Sequence, residues 1–202
     1  MTVPTAALRT LQTVPKTISR TLPKGMTVHG LLAADLALDK SSKYAEWDAV
    51  VPTMEDFETM PILWDARLQE LLPSRSRDLL RTQKAKLERD WAIVSAAFPS
   101  APALALETYT YAWLLVNTRT FYHVTPRTEK LPRDDHMVLQ PVADLFNHAA
   151  GEGTCAVSFD GDGFTVSATC DLPAGVEVYI CYGGHSNDFL LLEYGFVLPD
   201  GE

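Results

Sequence analysis

Apolar residues in the first half of the chain recur at helical spacing. Val28, Leu32 and Leu36 follow one another every fourth residue. A second series has steps of seven, four, three and four residues and consists of Leu80, Leu87, Trp91, Val94 and Phe98. Each series lies on one face of a helix. Prolines divide this half, because proline cannot continue a helix interior. The pattern therefore predicts several helices from Met26 to about Phe121.

The segment from Tyr109 to Tyr122 is mostly apolar and aromatic, and it predicts a helix or a helix followed by a strand. Arg119 is its one charged residue, and a cation at that place could also cap the C-terminus of the helix. The four tryptophans lie at helical spacing from other apolar residues and are interpreted as core residues: Trp47, Trp64, Trp91 and Trp113.

After Pro141 the pattern changes to short strands. Residues 156–159 and 164–168 flank an Asp-Gly-Asp-Gly connection that tolerates positive φ, which predicts a β-hairpin. A turn at 173–175 precedes Val176, Val178, Ile180 and Tyr182, which alternate on one face and predict a strand over 176–182. The coarse fold is α+β, a helical region followed by a half built from small strands.

A last helix is predicted beyond that strand. Ser186 begins a Ser-Asn-Asp sequence whose side chains can cap the N-terminus of a helix. Gly195 would end the helix, because glycine adopts the left-handed conformation common at helix C-termini.

Composition and charge narrow the possible partners and locations. The chain has 202 residues, 47% hydrophobic and 21% charged, which indicates one globular domain with a sizeable core. Lys and Arg number 17 against 26 Asp and Glu, a net charge of -9, so direct nucleic-acid binding is not expected, whereas a cationic peptide would be attracted. No apolar run approaches the roughly 20 residues that span a bilayer, and no secretory signal is recognised. We expect a cytoplasmic or nuclear protein without a membrane partner.

The cysteines and one Asp-His pair are weak signals by themselves. Cys155, Cys170 and Cys181 lack the paired spacing of a structural zinc site, so no metal is expected, and we interpret all three as buried small side chains. A nucleophile pair of Cys155 with His148 is an alternative. Asp144 and His148 lie four residues apart and could bind a metal or form a hydrogen-bonded structural feature.

Three segments after residue 143 carry the strongest signal. They are Asp-Leu-Phe-Asn-His at 144–148, Leu-Pro-Ala-Gly-Val-Glu-Val-Tyr-Ile-Cys-Tyr-Gly at 172–183 and Ser-Asn-Asp-Phe-Leu-Leu-Leu-Glu-Tyr-Gly-Phe at 186–196. In this order they closely resemble the C-terminal half of a SET domain, and more narrowly the branch typified by the Rubisco large-subunit lysine methyltransferase and the actin-histidine methyltransferase. Segments 117–121 and 141–148 are also similar to SET-domain proteins of filamentous fungi.

The resemblance implies a fold of the β-clip type and S-adenosylmethionine as the cofactor. Asn147 and His148 would lie beside the adenine and amino-acid parts of the cofactor, and Asp144 would support their loop. Arg119 would lie against the cofactor's carboxylate. Two aromatic residues would pack near the adenine, Tyr194 and Phe196.

The same resemblance implies methyl transfer to a lysine nitrogen of a protein substrate. The main chain at Thr120 and Phe121 would line the substrate channel, and Tyr182 would be the catalytic residue. Such a transfer is an in-line displacement, so positioning of the amine dominates. The reference pKa of tyrosine is about 10, so we interpret Tyr182 as an orienting hydroxyl rather than a base. An apolar channel would also disfavour the ammonium form of lysine.

The sequence departs from the family pattern towards both ends. No Gly-x-Gly precedes Gly151, and the chain ends soon after Phe196. We interpret residues 1–202 as a single partial SET domain that lacks the family's N-terminal strands and C-terminal substrate-binding domain. Its helical insert would span 26–135 and its C-terminal SET core 136–202. Missing strands would leave sheet edges and one wall of the cofactor pocket open.

Two classes of function are therefore carried forward. The first is an S-adenosylmethionine-dependent protein-lysine methyltransferase, with histidine as a further possible acceptor in this branch. The alternative is a catalytically inactive SET-like binding or scaffold protein. Retention of Arg119, Asn147, His148 and Tyr182 favours the first class, and the absent Gly-x-Gly favours the second.

Overall fold

The computed structural model describes residues 1–39, 41–101, 104–125, 128–150, 155–160 and 163–199. The helices in these residues are α1 (Lys16–Ser19), α2 (Val28–Leu38), α3 (Ala45–Asp48), α4 (Ala66–Glu70), α5 (Ser74–Ala97), α6 (Leu106–Arg119) and α7 (Asn187–Tyr194). The strands are β1 (Thr2–Pro4), β2 (Thr120–Tyr122), β3 (Met137–Leu139), β4 (Asn147–His148), β5 (Cys155–Phe159), β6 (Gly163–Ala168) and β7 (Tyr179–Ile180). Single-turn 3₁₀ helices lie at Thr5–Ala7, Glu55–Phe57, Pro61–Leu63, Arg133–Asp135 and Ala143–Leu145. Mixed helix and strand confirm the predicted α+β class.

Helices α2 and α6 form the centre of the helical half. In α6 the consecutive residues 112–116 are all buried, and in α2 burial extends over residues 30–35. The predicted series of Val28, Leu32 and Leu36 lies on one face of α2 and therefore accounts for only part of the burial of this helix. Helices α5 and α6 both pack against α2, so burial is not confined to the face of Val28 and Leu32.

Helix α5 follows its predicted pattern more closely. Leu80 and Val94 are buried, while Leu87, Trp91 and Phe98 are half-buried against the core. Apolar spacing of this kind buries one stripe and leaves the opposite face to charged residues. Arg81, Lys86, Glu88 and Arg89 occupy that exposed face.

The described strands form a five-stranded sheet in the order β1-β6-β5-β7-β4 and a two-stranded sheet of β2 and β3. The predicted hairpin is present as antiparallel β5 and β6, with Cys155 opposite Ala168 and Phe159 opposite Phe164. Its connecting residues 161 and 162 lie outside the described residues. Strand β7 pairs in parallel with β4 on one side and with β5 on the other.

The predicted C-terminal helix is confirmed as α7. The Ser186 hydroxyl caps it by accepting from the Phe189 N–H, and Gly195 ends it with φ 80°. Leu192 packs with Leu72 and Leu80, which fixes α7 against α5.

The strand predicted over 176–182 is shorter in the structure, where only Tyr179–Ile180 is paired. Ile180 is buried and Val178 and Tyr182 pack beside it, but Val176 is exposed directly after the turn at Gly175. The alternation is thus correct for its last three members. The strand is short because its neighbour β4 offers only two residues to pair with.

Two expectations about buried side chains are partly wrong. Trp47 and Trp113 are buried, but Trp64 and Trp91 are only half-buried. All three cysteines are free, and Cys155 is buried.

Cys170 and Cys181 are exposed, contrary to prediction. Cys170 lies beyond the end of β6, and Cys181 alternates with the inward-facing Ile180. Strand β7 also separates the strands that carry Cys155 and His148, about 10 Å apart at ordinary strand spacing. That spacing is too long for a nucleophile–base hydrogen bond.

The described part of the chain has neither a membrane-spanning helix nor a cluster of potential metal ligands. None of its helices is both long and apolar enough to cross a bilayer. It contains no group of three or more His, Cys, Asp or Glu side chains placed to hold a metal ion.

Candidate active site

A cavity of about 290 Å³ lies between the end of α6, the hairpin β5–β6 and the segment that follows β7. Six of the predicted site residues line it: Arg119, Thr120, Phe121, Asp144, Tyr182 and Tyr194. Its apolar wall includes Phe159 and Phe164. The volume lies near the lower end of the roughly 300–1,000 Å³ typical of small-molecule sites. Residues that are far apart in sequence are therefore brought to one concave surface.

Arg119 is the last residue of α6, and its guanidinium is turned towards Asp144. Its Nη1 donates to the Asp144 main-chain oxygen at 2.7 Å and to Asp144 Oδ2 at 3.3 Å. The Arg119 side chain is 18% exposed and that of Asp144 is 0% exposed. These bonds hold the guanidinium at the Asp144 loop. The hydrogen bonds of the Arg119 side chain therefore do not cap the C-terminus of α6.

Asp144 lies in a 3₁₀ turn that begins after a strained residue. Val142 has φ 79°, a positive value that is unusual for a β-branched residue. The Leu145 N–H donates to the Val142 oxygen and the Asp144 N–H to the Gln140 oxygen. This tight turn directs the Asp144 side chain inward, where Arg119 and Trp47 meet it.

Trp47 is the second side chain bound to Asp144. Its Nε1 donates to Asp144 Oδ2 at 2.8 Å. Burial raises the pKa of the Asp144 carboxyl, while the Arg119 charge and the hydrogen bonds from Trp47 and Arg119 act to lower it. The charged form of a buried carboxylate needs such partners.

Tyr182 is held through both its main chain and its hydroxyl. Its N–H donates to His148 Nδ1 at 3.1 Å, and its hydroxyl donates to the Phe146 oxygen at 2.6 Å. Burial raises the pKa of the Tyr182 hydroxyl, an effect that Arg119 opposes and Asp144 reinforces. The phenol is therefore suited to orient a neighbour rather than to act as a strong base.

Aromatic rings surround Tyr182. The ring centroids of His148 and Tyr194 both lie 5.1 Å from that of Tyr182, and that of Phe196 lies 6.4 Å away. Burial lowers the pKa of His148 and raises that of Tyr194 to about 12. The four rings form one uncharged cluster, of which Tyr182 and Tyr194 reach the cavity.

Asn147 does not line this cavity. Its side chain is exposed, and its Nδ2 donates to Glu177 Oε1 at 2.6 Å. The Tyr179 hydroxyl donates to the other oxygen of Glu177, and the two bonds lower the pKa of that carboxyl. Because side chains alternate along a strand, Asn147 and its neighbour His148 point to opposite faces of β4.

Sequence reasoning missed the cavity-lining rings of Phe159 and Phe164, and it missed the contact that Trp47 makes with Asp144, because Trp47 was interpreted only as core. A buried indole N–H usually has an acceptor, and this was the available signal. The signal did not identify Asp144 as the acceptor, because the two residues are 97 positions apart.

The arrangement offers one cation, a buried carboxylate, an uncharged aromatic cluster and a phenol beside a small cavity. Arg119 could bind an anionic group, and the aromatic faces could hold a planar ring or an apolar chain. None of the described Ser, Thr and Cys residues that line the cavity is hydrogen-bonded to a histidine or carboxylate that could activate it as a nucleophile. The site is therefore better suited to hold two reactants in register than to attack one of them.

Comparison with known proteins agrees with the resemblance found in the sequence. No family model matches the chain. The ribosomal lysine N-methyltransferase set11 of Schizosaccharomyces pombe is 31% identical over 150 residues, which are 74% of this chain and 37% of that protein. The solved SET domain of LSMT bound to lysine and AdoHcy has a TM-score of 0.76 and 21% identity, and the match covers 98% of this chain and 46% of that chain. Rubisco LSMT bound to AdoMet gives a TM-score of 0.75 with the same identity and coverage.

The chain spans little more than a third of the length of the set11 protein, at 37%. The structural likeness covers both the helical and the stranded half, and the sequence likeness covers 74% of the chain. Both likenesses agree with the family resemblance that the segments 144–148, 172–183 and 186–196 carry. The chain belongs to the SET-domain family, in the branch that includes the Rubisco large-subunit methyltransferase.

Proposed function

We propose that the chain is an S-adenosylmethionine-dependent methyltransferase that modifies a lysine side-chain nitrogen of a protein substrate. The observation that carries the proposal is the cavity that unites Arg119, Tyr182 and the segment Thr120–Tyr122. When bound, S-adenosylmethionine supplies an electrophilic methyl group on a sulfonium. The division into a helical insert at 26–135 and a SET core at 136–202 is part of this proposal.

The side chains around the cavity fit the chemistry of that cofactor. Arg119 uses Nη1 for Asp144, and in the described residues no bond engages its other guanidinium nitrogens. A partly exposed guanidinium with free donors suits a carboxylate. Tyr194 and Phe196 offer faces against which an adenine can pack, and His148 extends the same cluster.

Tyr182 would orient the acceptor nitrogen. Its O–H bond is directed to the Phe146 oxygen, so its oxygen lone pairs remain to accept a hydrogen bond from an amine. This supports the orienting role expected from the sequence. Because burial raises its pKa, the proton released by the acceptor leaves to water rather than to Tyr182.

The cavity wall favours the neutral form of the acceptor. Phe121, Phe159 and Phe164 form an apolar lining, with ring centroids of neighbouring pairs 4.9–5.0 Å apart. A lysine has a reference pKa of about 10.4, and desolvation by such a lining lowers it. Thr120 and Phe121 would line the channel that the acceptor enters.

Asn147 belongs to the proposed cofactor site although it lies outside the cavity. Its Nδ2 donates to Glu177 on the exposed face of β4, and its Oδ1 could accept a hydrogen bond from the ammonium group of the cofactor's amino acid. His148 and Asp144 would support the same loop from the inner face.

Calorimetric titration of the 202-residue chain with S-adenosylmethionine tests the proposal. We expect saturable binding that Asn147→Ala weakens about tenfold, the worth of one hydrogen bond to a charged group. Gln12→Ala, an exposed change near the N-terminal segment, is the matched control and should leave the affinity unchanged. Tritiated cofactor with ribosomal subunits as acceptor then tests transfer, since set11 is a ribosomal lysine methyltransferase.

A well-folded chain without saturable binding would overturn the proposal and favour the inactive binding or scaffold protein. Transfer of label to histidine instead of lysine would change the acceptor but not the reaction. Mass spectrometry of the labelled residue distinguishes the two acceptors.

A further inference from the structure

We infer that Trp47 is a positioning residue of the active site, which holds the Asp144 carboxylate and through it the Arg119 guanidinium at the cavity. The inference rests on the proposed function in one respect, because it takes Arg119 as the group that receives the cofactor's carboxylate. Trp47 itself touches neither the cavity nor a reacting atom. Its contribution would be to the geometry of Arg119.

The Asp144 carboxylate has only two side-chain donors among the described residues. Trp47 Nε1 and Arg119 Nη1 both donate to Oδ2, at 2.8 Å and 3.3 Å. The other oxygen, Oδ1, is buried and has no hydrogen-bond partner among the described residues. When either donor is removed, this buried carboxylate keeps only one of its two side-chain hydrogen bonds.

Trp47 is itself rigidly placed. It is 5% exposed and packs in the core of the helical half. The guanidinium of Arg9 lies 5.8 Å from its ring centroid, and Arg9 is fixed in turn by ion pairs to Asp35 and Asp39. An indole N–H on such a support can set the orientation of its acceptor.

Asp144 and Arg119 together connect Trp47 to the cavity. Arg119 Nη1 also donates to the Asp144 main-chain oxygen at 2.7 Å, so the guanidinium and the loop move together. Arg119 and Asp144 both line the cavity, whereas Trp47 does not. A change at Trp47 therefore reaches the cavity through these two residues.

The charged and titratable groups that face Asp144 in the described structure are Arg119 from α6 and Tyr182 from the segment after β7. Burial is the main influence that raises the pKa of Asp144, and the Trp47 hydrogen bond is one of those that oppose it. Without the indole donor the pKa of Asp144 rises further, so its ion pair with Arg119 is lost at a higher pH than in the unmodified chain.

The experiment compares Trp47→Phe, which removes the N–H and keeps an aromatic ring, with Trp91→Phe as the matched control in the same helical core. Calorimetry measures the affinity of each variant for S-adenosylmethionine and for its decarboxylated analogue. We expect Trp47→Phe to weaken the cofactor about tenfold, as for the loss of a bond to a charged group, and to leave the analogue unchanged. Trp91→Phe should change neither affinity.

A second measurement needs no cofactor. The Asp144 carboxyl carbon is followed by NMR against pH, and its titration midpoint should rise by about one unit or more in Trp47→Phe. Thermal unfolding verifies that the variant is folded. Equal weakening of cofactor and analogue would mean a general structural effect and would overturn the inference, as would an unchanged Asp144 midpoint. Failure of the unmodified chain to bind cofactor, with the Asp144 midpoint raised as expected, would overturn the proposed function alone.

Discussion

The Tyr182 hydroxyl combines a fixed donor direction with free acceptor lone pairs. Its proton points to the Phe146 oxygen at 2.6 Å, which limits rotation of the O–H bond. Replacing it by Phe removes the acceptor for the substrate amine while the ring stays within the aromatic cluster. The hydroxyl is therefore expected to affect transfer more than cofactor binding.

We predict that Tyr182→Phe lowers kcat about 100-fold and changes the affinity for S-adenosylmethionine less than twofold, as expected for loss of an orienting group. Single-turnover kinetics and calorimetry measure the two quantities. Tyr111→Phe is the matched control, because its hydroxyl donates to the Pro52 oxygen and the residue does not line the cavity. A large loss of affinity in Tyr182→Phe would contradict the orienting role.

Part of the cavity lining was predictable at the residue scale. Arg119, Asp144 and Tyr182 were identified from segments whose resemblance is specific, and the cavity contains all three. The Trp47 contact was not predictable, because a hydrogen bond between residues 97 positions apart leaves no local pattern. Asn147 is exposed because of the face of β4 on which it lies. A strand of two residues is too short for an alternating pattern that would predict this face.

At the scale of elements, α2 and α6 are joined through a half-buried histidine. His29 stacks on Trp113 with centroids 4.2 Å apart, and its Nε2 bonds to the Trp113 oxygen at 3.1 Å. Burial lowers the pKa of His29 from 6.5 to about 4. In the unfolded chain His29 therefore takes up a proton below about pH 6.5, whereas in the folded chain it does so only below about pH 4.

We predict that the free energy of unfolding falls by about 2 kcal/mol between pH 7 and pH 5 through His29 alone. Urea unfolding at the two pH values measures it. His29→Gln should be less stable at pH 7 but should lose most of this pH dependence. His185→Gln, which removes a histidine stacked on Phe189 outside the α2–α6 contact, should retain it. Equal pH dependence in the two variants would contradict the assignment.

The end of α7 depends on Gly195. Its φ is 80°, and a Cβ there would lie 2.6 Å from Thr59 Oγ1 and 3.0 Å from Met60 Cγ. Gly175 has a similar φ of 86° but open space around it, and Gly184 has open space without a positive φ. The three positions separate the cost of the left-handed conformation from the cost of the contact.

We predict that Gly184→Ala leaves stability unchanged, Gly175→Ala costs about 1 kcal/mol, and Gly195→Ala costs more than Gly175→Ala. Chemical denaturation of the three variants provides the comparison. An equal loss at Gly175 and Gly195 would show that the Thr59 and Met60 contacts yield without cost.

The long helix α5 was predictable from its spacing, whereas the bounds of the two-residue strands were not. Helix α5 has a spacing that repeats over many turns, so its existence followed from the sequence. Strands β4 and β7 contain two residues each, and their pairing is decided by neighbours about 30 positions away. A two-residue strand has no period of its own to detect.

At the scale of the whole molecule, the net charge of -9 bears on how a substrate approaches. We predict that kcat/KM for a lysine peptide flanked by arginines falls several-fold from about 0.05 M to about 0.3 M salt, because screening shortens the range of attraction. The same lysine flanked by neutral residues is the control and should change little. Steady-state kinetics measure kcat/KM of both peptides at the two salt concentrations. An equal response of the two peptides would exclude electrostatic steering.

The pairing of β1 with β6 also determines when the sheet can be completed. Thr2 and Thr165 are partners across 163 positions. Ribosomes add about 5–20 residues per second, so β1 waits roughly 10–30 s for its partner to emerge. The helical half has its contacts closer in sequence and can collapse during that interval. Completion of the sheet is thus timed by translation, and until then Thr2–Pro4 is an unpaired strand edge that a chaperone could cover.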